Sequence, residues 1–480
     1  MSTQAVKELS VATHTAMDFL GYSEEMIKWR AEIVKHLTST VNNKLQNLIP
    51  YIGFNCMVAG SVGDGIAKLH ESDIDVIQVF RNFLCLDNAQ VESELCIIQT
   101  ITADSPPGHT RLNPLELDSN TAAMGLLCFV TEYDLSRGQV FLVSTCVRNF
   151  FESGCKALIP YFQLHGTNRE LREQQGPSIP STLHLKIPLM PHIIMACDAD
   201  FVMGLPYIPS ALFDPWIKRD RYWPPQSVCQ DIMDTEAYVV PVGASYSENQ
   251  IYEWRISFTT AESILVSNLN PVLLKVYIIF KMVNKYLIKP NCNILSSYMI
   301  KNVMFWVSEH SEPSSCNSPE RLINLLQLAL AFLRNCLHSK FLPNYMIQER
   351  NLLLGKGKPR DFSQLKCIIS NLLDTDGFFV MEIEKVKTQI FSFRDSKQLS
   401  EMRDAFEIVH MKMHINILNK LSLENMFQPS LLYDVALEMY KNPLFFDLMF
   451  KLMNFAKLDI GSCIANPGQF FKVITNVLFS

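Results

Sequence analysis

The chain is 480 residues long, 48% hydrophobic and 19% charged, with a formal net charge of −6. That length accommodates two or three packed units with ordinary cores, and the acidic balance excludes a global electrostatic pull toward nucleic acid or anionic lipid. The 13 cysteines are scattered with no C-x-x-C pair, which argues for reduced, mostly buried thiols in the cytosol or nucleus and against a disulfide framework.

The first residues, MSTQAVKELSVATHTAM, lack the basic-then-apolar signature of a secretory signal. From Thr13 to Leu48 the pattern is helical, with Met26, Trp29, Ile33, Leu37 and Val41 recurring at three-to-four spacing. Between Tyr51 and Val147 short β-rich runs (DVIQVF, CIIQTIT, GLLCFVT, GQVFLVST) are separated by the turn-rich TADSPPGHTRLNP. A further strand is expected in PHIIMACDADFVMGLP, and another in AYVVPVGA beyond a Trp/Pro-rich loop. From Trp254 onward helices are expected. One places Leu273, Val276, Phe280, Val283 and Leu287 on a single face behind Pro271, and another starts at Ser318-Pro319. No apolar run reaches the roughly 18 uncharged residues needed to span a bilayer; the nearest, PVLLKVYIIFKMV, is broken by Lys275 and Lys281. The expected class is α+β: a spine helix at 10–50, a β-rich lobe at 51–258, a helical lobe at 259–352 and a helical extension at 353–480. A soluble cytoplasmic protein is expected, with the nucleus as the other compartment.

The chemistry centres on GSVGDGIAKLHESDIDVIQVF, residues Gly60 to Phe80. Aspartate disfavours strands, yet Asp73 and Asp75 stand in an apolar run that reads as one. Residues i and i+2 of a strand share a face, so the two carboxylates project together. Two like charges that close resist joint ionisation unless a cation lies between them. Magnesium supplies one, bound by carboxylates and substrate phosphates. Gly60-Ser61, leading into a helix-like stretch, offers backbone N–H groups and a hydroxyl for a triphosphate. A two-metal phosphoryl transfer needs a further carboxylate from a neighbouring strand; Asp200 is the first candidate and Asp198 the fallback, against the plainer reading of both as an exposed strand entry. Asp374-Thr-Asp376-Gly377 lacks the later ligands of a calcium loop. His410 and His414 have i, i+4 spacing without a Cys or acidic partner nearby in sequence, so a surface pair is expected.

These residues resemble the nucleotidyltransferase signature of cyclic GMP-AMP synthase and its male-abnormal (Mab) relatives. PPGHTRL, GPSIPST, DFVMGLP, YWPPQS, EWRISFTTAE, LNPVLLKVYIIFKMV and LSSYMIKNVMFW agree in order, and resemble the animal cyclic GMP-AMP synthase-like receptors over about residues 10–350. The resemblance implies a bilobal nucleotidyltransferase fold and Mg²⁺- or Mn²⁺-dependent joining of ATP and GTP into a cyclic dinucleotide by an innate immune sensor. It implies metal ligation by Asp73, Asp75 and Asp200, and a triphosphate grip by Gly60, Ser61, Lys281 and Ser297. It further implies base stacking by Tyr298 and base or phosphate contact by Arg255. Each helical-lobe residue also has a plainer reading: a snorkelling Lys281, a core Tyr298 with a bonded hydroxyl, an ion-paired Arg255. No zinc is expected, because 263–280 contain no Cys or His.

The resemblance also implies a double-stranded RNA or DNA activator along the spine. There Lys28, Arg30, Lys35 and Lys44 are mixed with Glu24, Glu25 and Glu32. Denser basic spots occur at Lys218, Arg219 and Arg221 and at Lys356, Lys358 and Arg360, where solvated loops are the alternative. Two rival functions remain: a catalytically inactive Mab-type scaffold working through protein partners, and a transferase acting on an RNA end.

Overall fold

A computed structural model describes residues 2–48, 53–68, 71–87, 95–114, 130–134, 138–157, 167–171, 178–186, 194–209, 211–420 and 443–455. Its strands, in chain order, are β1 (Phe54–Ala59), β2 (Ile74–Phe80), β3 (Phe83–Leu86), β4 (Cys96–Ile101), β5 (His109–Pro114) and β6 (Thr131–Asp134). They continue as β7 (Gln139–Leu142), β8 (Thr167–Leu171), β9 (Ile179–Lys186), β10 (Ile194–Ile208), β11 (Ala237–Val240) and β12 (Glu253–Ser257). Most of the run GLLCFVT lies outside the described residues.

The chain forms two compact units, each assembled from three segments. The first comprises Glu25–Asn82, Arg148–Gly204 and Phe393–Ser480; the second comprises Met1–Glu24, Phe83–Val147 and Leu205–Ser392. The boundaries at 50, 258 and 352 follow changes of pattern along the sequence, whereas strand pairing gathers segments far apart in it. The long strand β10 passes from the first unit to the second between Gly204 and Leu205.

In the first unit β1 pairs antiparallel with β2, and β2 pairs parallel with β10, from Ile74↔Ala199 to Val79↔Gly204. β9 and then β8 extend this sheet on the other side of β10. Val76, Ile77 and Val79 are buried while Asp75 is exposed, so β2 roots an acidic position in an apolar strand. The helix Glu24–Leu48 is tied to the edge strand by Asn42, whose amide donates to the Cys56 carbonyl (2.9 Å) and accepts from the Cys56 N–H (2.7 Å). Beside this helix lies Phe393–Lys420: Arg30 and Glu407 form a buried two-pronged ion pair at 2.8 and 2.9 Å. Lys44 Nζ donates to the Asn419 carbonyl at 3.3 Å. Met402 and Phe406 of the second helix share a core with Leu448, Met449 and Leu452 of Pro443–Phe455.

In the second unit β12 lies between β11 and β5, and β5, β4 and β3 follow in order. The last residues of β10 pair with β11 and with β3. Trp254 is buried and donates its indole N–H to the Leu142 carbonyl, which anchors the separate β6–β7 ladder. The helix Pro271–Val283 is capped by Asn270, whose side chain accepts from the Leu273 N–H at 2.9 Å. It is buried on nearly every side, so the one-sided face expected from sequence gives way to a core helix. Burial extends to Lys275, which reaches Asp18 at 2.6 Å. Among the described residues no single helix is long and apolar enough to cross a membrane.

Two helix boundaries differ from expectation. The spine expected at 10–50 is two helices, Thr3–Met17 and Glu24–Leu48, parted by a π-helical turn at Asp18–Tyr22 in which Gly21 has φ 87°. Glycine enters that left-handed region without the Cβ clash that bars other residues, so it ends the first helix at little cost. Ser318 makes no side-chain cap; Pro319–Arg321 form a 3₁₀ turn and the α-helix begins at Leu322.

Candidate active site

The β2–β10 register places Asp200 opposite Asp75. Residues directly opposite on neighbouring strands point to the same face, with Cβ atoms about 5 Å apart. Two carboxylates so placed repel one another, and a divalent cation relieves that repulsion. Asp198, the fallback, accepts a hydrogen bond from the Thr182 hydroxyl of β9. Asp73 stands one residue before β2, ahead of the first rung of the ladder at Ile74. Among the described residues no group of three or more Asp, Glu, His or Cys side chains is placed as a metal site; the register sets Asp75 against Asp200 and leaves Asp73 just ahead of the ladder.

Gly60 follows β1 directly, with φ 64°, and opens the short turn Gly60–Gly63. Asp64 N–H closes on the Gly60 carbonyl and Ala67 N–H on that of Ser61, each at 2.9 Å. A Cβ added at Gly60 would run into Asp75 Oδ2. The turn and the acidic strand are therefore fitted to each other, and only a residue without a side chain allows it. A cradle of this kind beside paired carboxylates suits a hard cation carrying phosphate oxygens, since Mg²⁺ commonly takes only one or two protein carboxylates. Gly60→Ala is expected to push Asp75 aside and to cost roughly 1–2 kcal/mol in backbone strain. The expected readout is a lowered melting temperature in thermal denaturation.

The second unit holds the other candidates. Arg255 is half-buried on β12 with His109 of β5 opposite. Tyr298 donates its hydroxyl to Glu262 Oε1 (2.8 Å) and accepts from Asn344 Nδ2 (2.9 Å). Burial, reinforced by Glu262, pushes that phenol up to about 12. The hydroxyl is thus bonded on both sides, as in the plainer reading of a core tyrosine. Burial, with Arg350 nearby, brings Arg255 down to about 10. Ser297 is exposed at the start of Ser297–His310, while the capping hydroxyl is that of Ser296, accepting from Met299 N–H. Lys281 is half-buried in the last turn of its helix, its ammonium 5.8 Å from the Tyr277 ring centre. Glu262, Asn344, Arg350 and His109 were not singled out from sequence. Glu262 lies within EWRISFTTAE and His109 within PPGHTRL, both already quoted, but nothing in the chain order announces Asn344 or Arg350.

The basic stretches fare unequally. Arg30 is consumed in its buried pair with Glu407 and Lys44 bonds a helix carbonyl, which leaves Lys28 and Lys35 exposed beside Glu24, Glu25 and Glu32. Arg219 is no solvated loop residue: it pairs with buried Glu309 at 3.0 Å and stacks 4.3 Å from Trp306. Arg221 lies 4.5 Å over Trp216 and donates to its carbonyl. Lys356, Lys358 and Arg360 are exposed. His410 stacks on Phe406 of the same helix; the side chain of His414 lies outside the described residues.

Residues 273–369 match the family model described as Mab-21 protein HhH/H2TH-like domain. This segment is thus similar to the C-terminal domain of a nucleotidyltransferase-like family. The match runs past residue 352 into the expected extension, taking in most of the helix Pro359–Leu373, whose Leu365 and Ile369 are buried.

Proposed function

We propose that the chain is a metal-dependent nucleotidyltransferase that joins ATP and GTP into a cyclic dinucleotide as a cytoplasmic innate immune sensor. The observation that carries this reading is the opposition of Asp75 and Asp200 across β2–β10, with the Gly60 turn closed against Asp75. The match of 273–369 supports the coarser class.

Asp75 and Asp200 would hold Mg²⁺ or Mn²⁺, with Asp73 as the third carboxylate. The bound cation would supply charge neutralisation at the phosphates and acidify the attacking hydroxyl. Gly60 and Ser61 would orient the triphosphate through backbone N–H groups and a hydroxyl. Their turn is closed by its own hydrogen bonds, so little ordering is left to the substrate. In the second unit, taken by itself, Lys281 and Ser297 are proposed as phosphate contacts, Tyr298 as a base-stacking ring, and Arg255 as a base or phosphate contact.

The test is incubation of the purified chain with labelled ATP and GTP and Mg²⁺ or Mn²⁺, with and without long double-stranded RNA or DNA. A metal-dependent cyclic product is expected. Product that persists in a chain carrying both Asp75→Asn and Asp200→Asn would overturn the reading. The rival reading is a catalytically inactive scaffold acting through protein partners. Absence of product under every condition would select that alternative.

A further inference from the structure

Three groups with cationic capacity meet in the second unit without a matching set of acids. Arg255 on β12 and His109 on β5 stand opposite each other, so their side chains share one face of the sheet. Arg350 arrives from the loop after Leu322–Ser339. Its chain packs on Gly108 so closely that a Cβ there would lie 2.5 Å from Arg350 Cδ and 3.3 Å from Nε. Arg350 is near enough to act electrostatically on Arg255, His109 and Tyr298 together. Burial, then Arg350 and Arg255, bring His109 down to about 3, so its ring is neutral at ordinary pH, with Nδ1 3.4 Å from the Pro107 carbonyl.

The nearby acids do not balance this charge. Glu262 accepts the Tyr298 hydroxyl. Glu253, on the same face of β12, accepts from the Ala244 N–H and the Ser247 hydroxyl and stands opposite Arg111. Among the described residues neither Arg255 nor Arg350 has a carboxylate oxygen within ion-pair distance. Two half-buried guanidinium groups facing one surplus carboxylate leave an uncompensated positive charge that water screens only in part. Folding gains nothing from holding two such cations together. An arriving dianion gains from both, because guanidinium forks match phosphate oxygens two at a time.

We propose that Arg350, with Arg255 and His109, forms a phosphate-accepting site for a phosphoryl group of a nucleotide ligand. The site rests on the nucleotide-handling role proposed above for the identity of that ligand, and it is independent of the metal carboxylates. His109, opposite Arg255 and neutral at ordinary pH, adds no charge to repel the two guanidinium groups.

The full chain should be titrated in EDTA with inorganic pyrophosphate, ATP and adenosine, following heat of binding and melting temperature. Wild type and Asp75→Asn are expected to bind pyrophosphate and ATP alike without metal, and adenosine should give no shift that depends on Arg350. Arg350→Gln and Arg255→Gln should each weaken pyrophosphate binding roughly ten- to hundredfold. Ligand-free Arg350→Gln should melt no lower than wild type, since one of two like charges is gone. Unchanged affinity in Arg350→Gln, or a ligand-free melting temperature several degrees lower, would overturn the proposal. So would pyrophosphate binding that requires Mg²⁺ and vanishes in Asp75→Asn. Loss of catalysis in Asp75→Asn with EDTA binding intact would leave this site standing whatever becomes of the carboxylates.

Discussion

Asp75→Asn is expected to lower nucleotide transfer by at least a hundred- to a thousandfold while leaving the fold intact. The size follows from removing a fixed charge at the point where phosphate charge must be neutralised. The intact fold follows from position: Asp75 is exposed on β2, with the apolar residues Val76, Ile77 and Val79 carrying the strand. Like charges directly opposite on neighbouring strands destabilise a sheet. Relieving the opposition of Asp75 and Asp200 should therefore leave the melting temperature unchanged or slightly raised. Activity and melting measured on one preparation separate the two effects. A variant that melts much earlier would make Asp75 a structural residue.

Arg30→Ala is expected to destabilise the first unit strongly, at roughly 3–5 kcal/mol, because it removes the two-pronged guanidinium from buried Glu407. For a unit of this size that corresponds to a fall in melting temperature on the order of 10 °C. Glu407 belongs to a buried polar stripe on its helix: Ser396, Ser400 and Arg403 recur with it at helical spacing, and Arg403 donates to Ser400 Oγ at 2.8 Å. Replacing both partners, as Arg30→Met with Glu407→Leu, should recover most of the loss, since well-packed apolar pairs commonly match or exceed a buried ion pair. Thermal denaturation of the two single variants and the double variant checks this. If the double variant is as unstable as Arg30→Ala, the damage lies in packing and not in the stranded charge.

The same pair shows where sequence reasoning stops. Arg30 stands on a helix among Lys28, Lys35 and three glutamates, and there it looks like any surface cation; its partner lies 377 residues away. Arg219 misleads in the same way, because Glu309 and Trp306 arrive from a distant helix. Local rules did reveal the acidic strand: period-two geometry puts alternate residues on one face, and the paired aspartates are conspicuous in an apolar run. Asp200 as the neighbouring carboxylate rests on topology, since only the strand order brings β10 beside β2. Gly21 carried a visible signal, a glycine inside a helical pattern, yet its conformation depends on packing that periodicity does not encode. Arg350 carries none, and His109 only its place within PPGHTRL. Their meeting with Arg255 depends on the β5–β12 register and on a loop nearly one hundred residues further along. Charge that is meaningful only in three dimensions is the class of feature a single sequence hides.

The central claim is that Asp75 and Asp200, closed over by the Gly60 turn, hold a divalent cation together with a triphosphate. Titration of the full chain with Mn²⁺ in the presence of a non-hydrolysable ATP analogue, followed by electron paramagnetic resonance, tests it most directly. Protein-bound Mn²⁺ that depends on the nucleotide, and that is lost in both Asp75→Asn and Asp200→Asn, is the predicted result. Equal Mn²⁺ binding in wild type and in the two variants would contradict it.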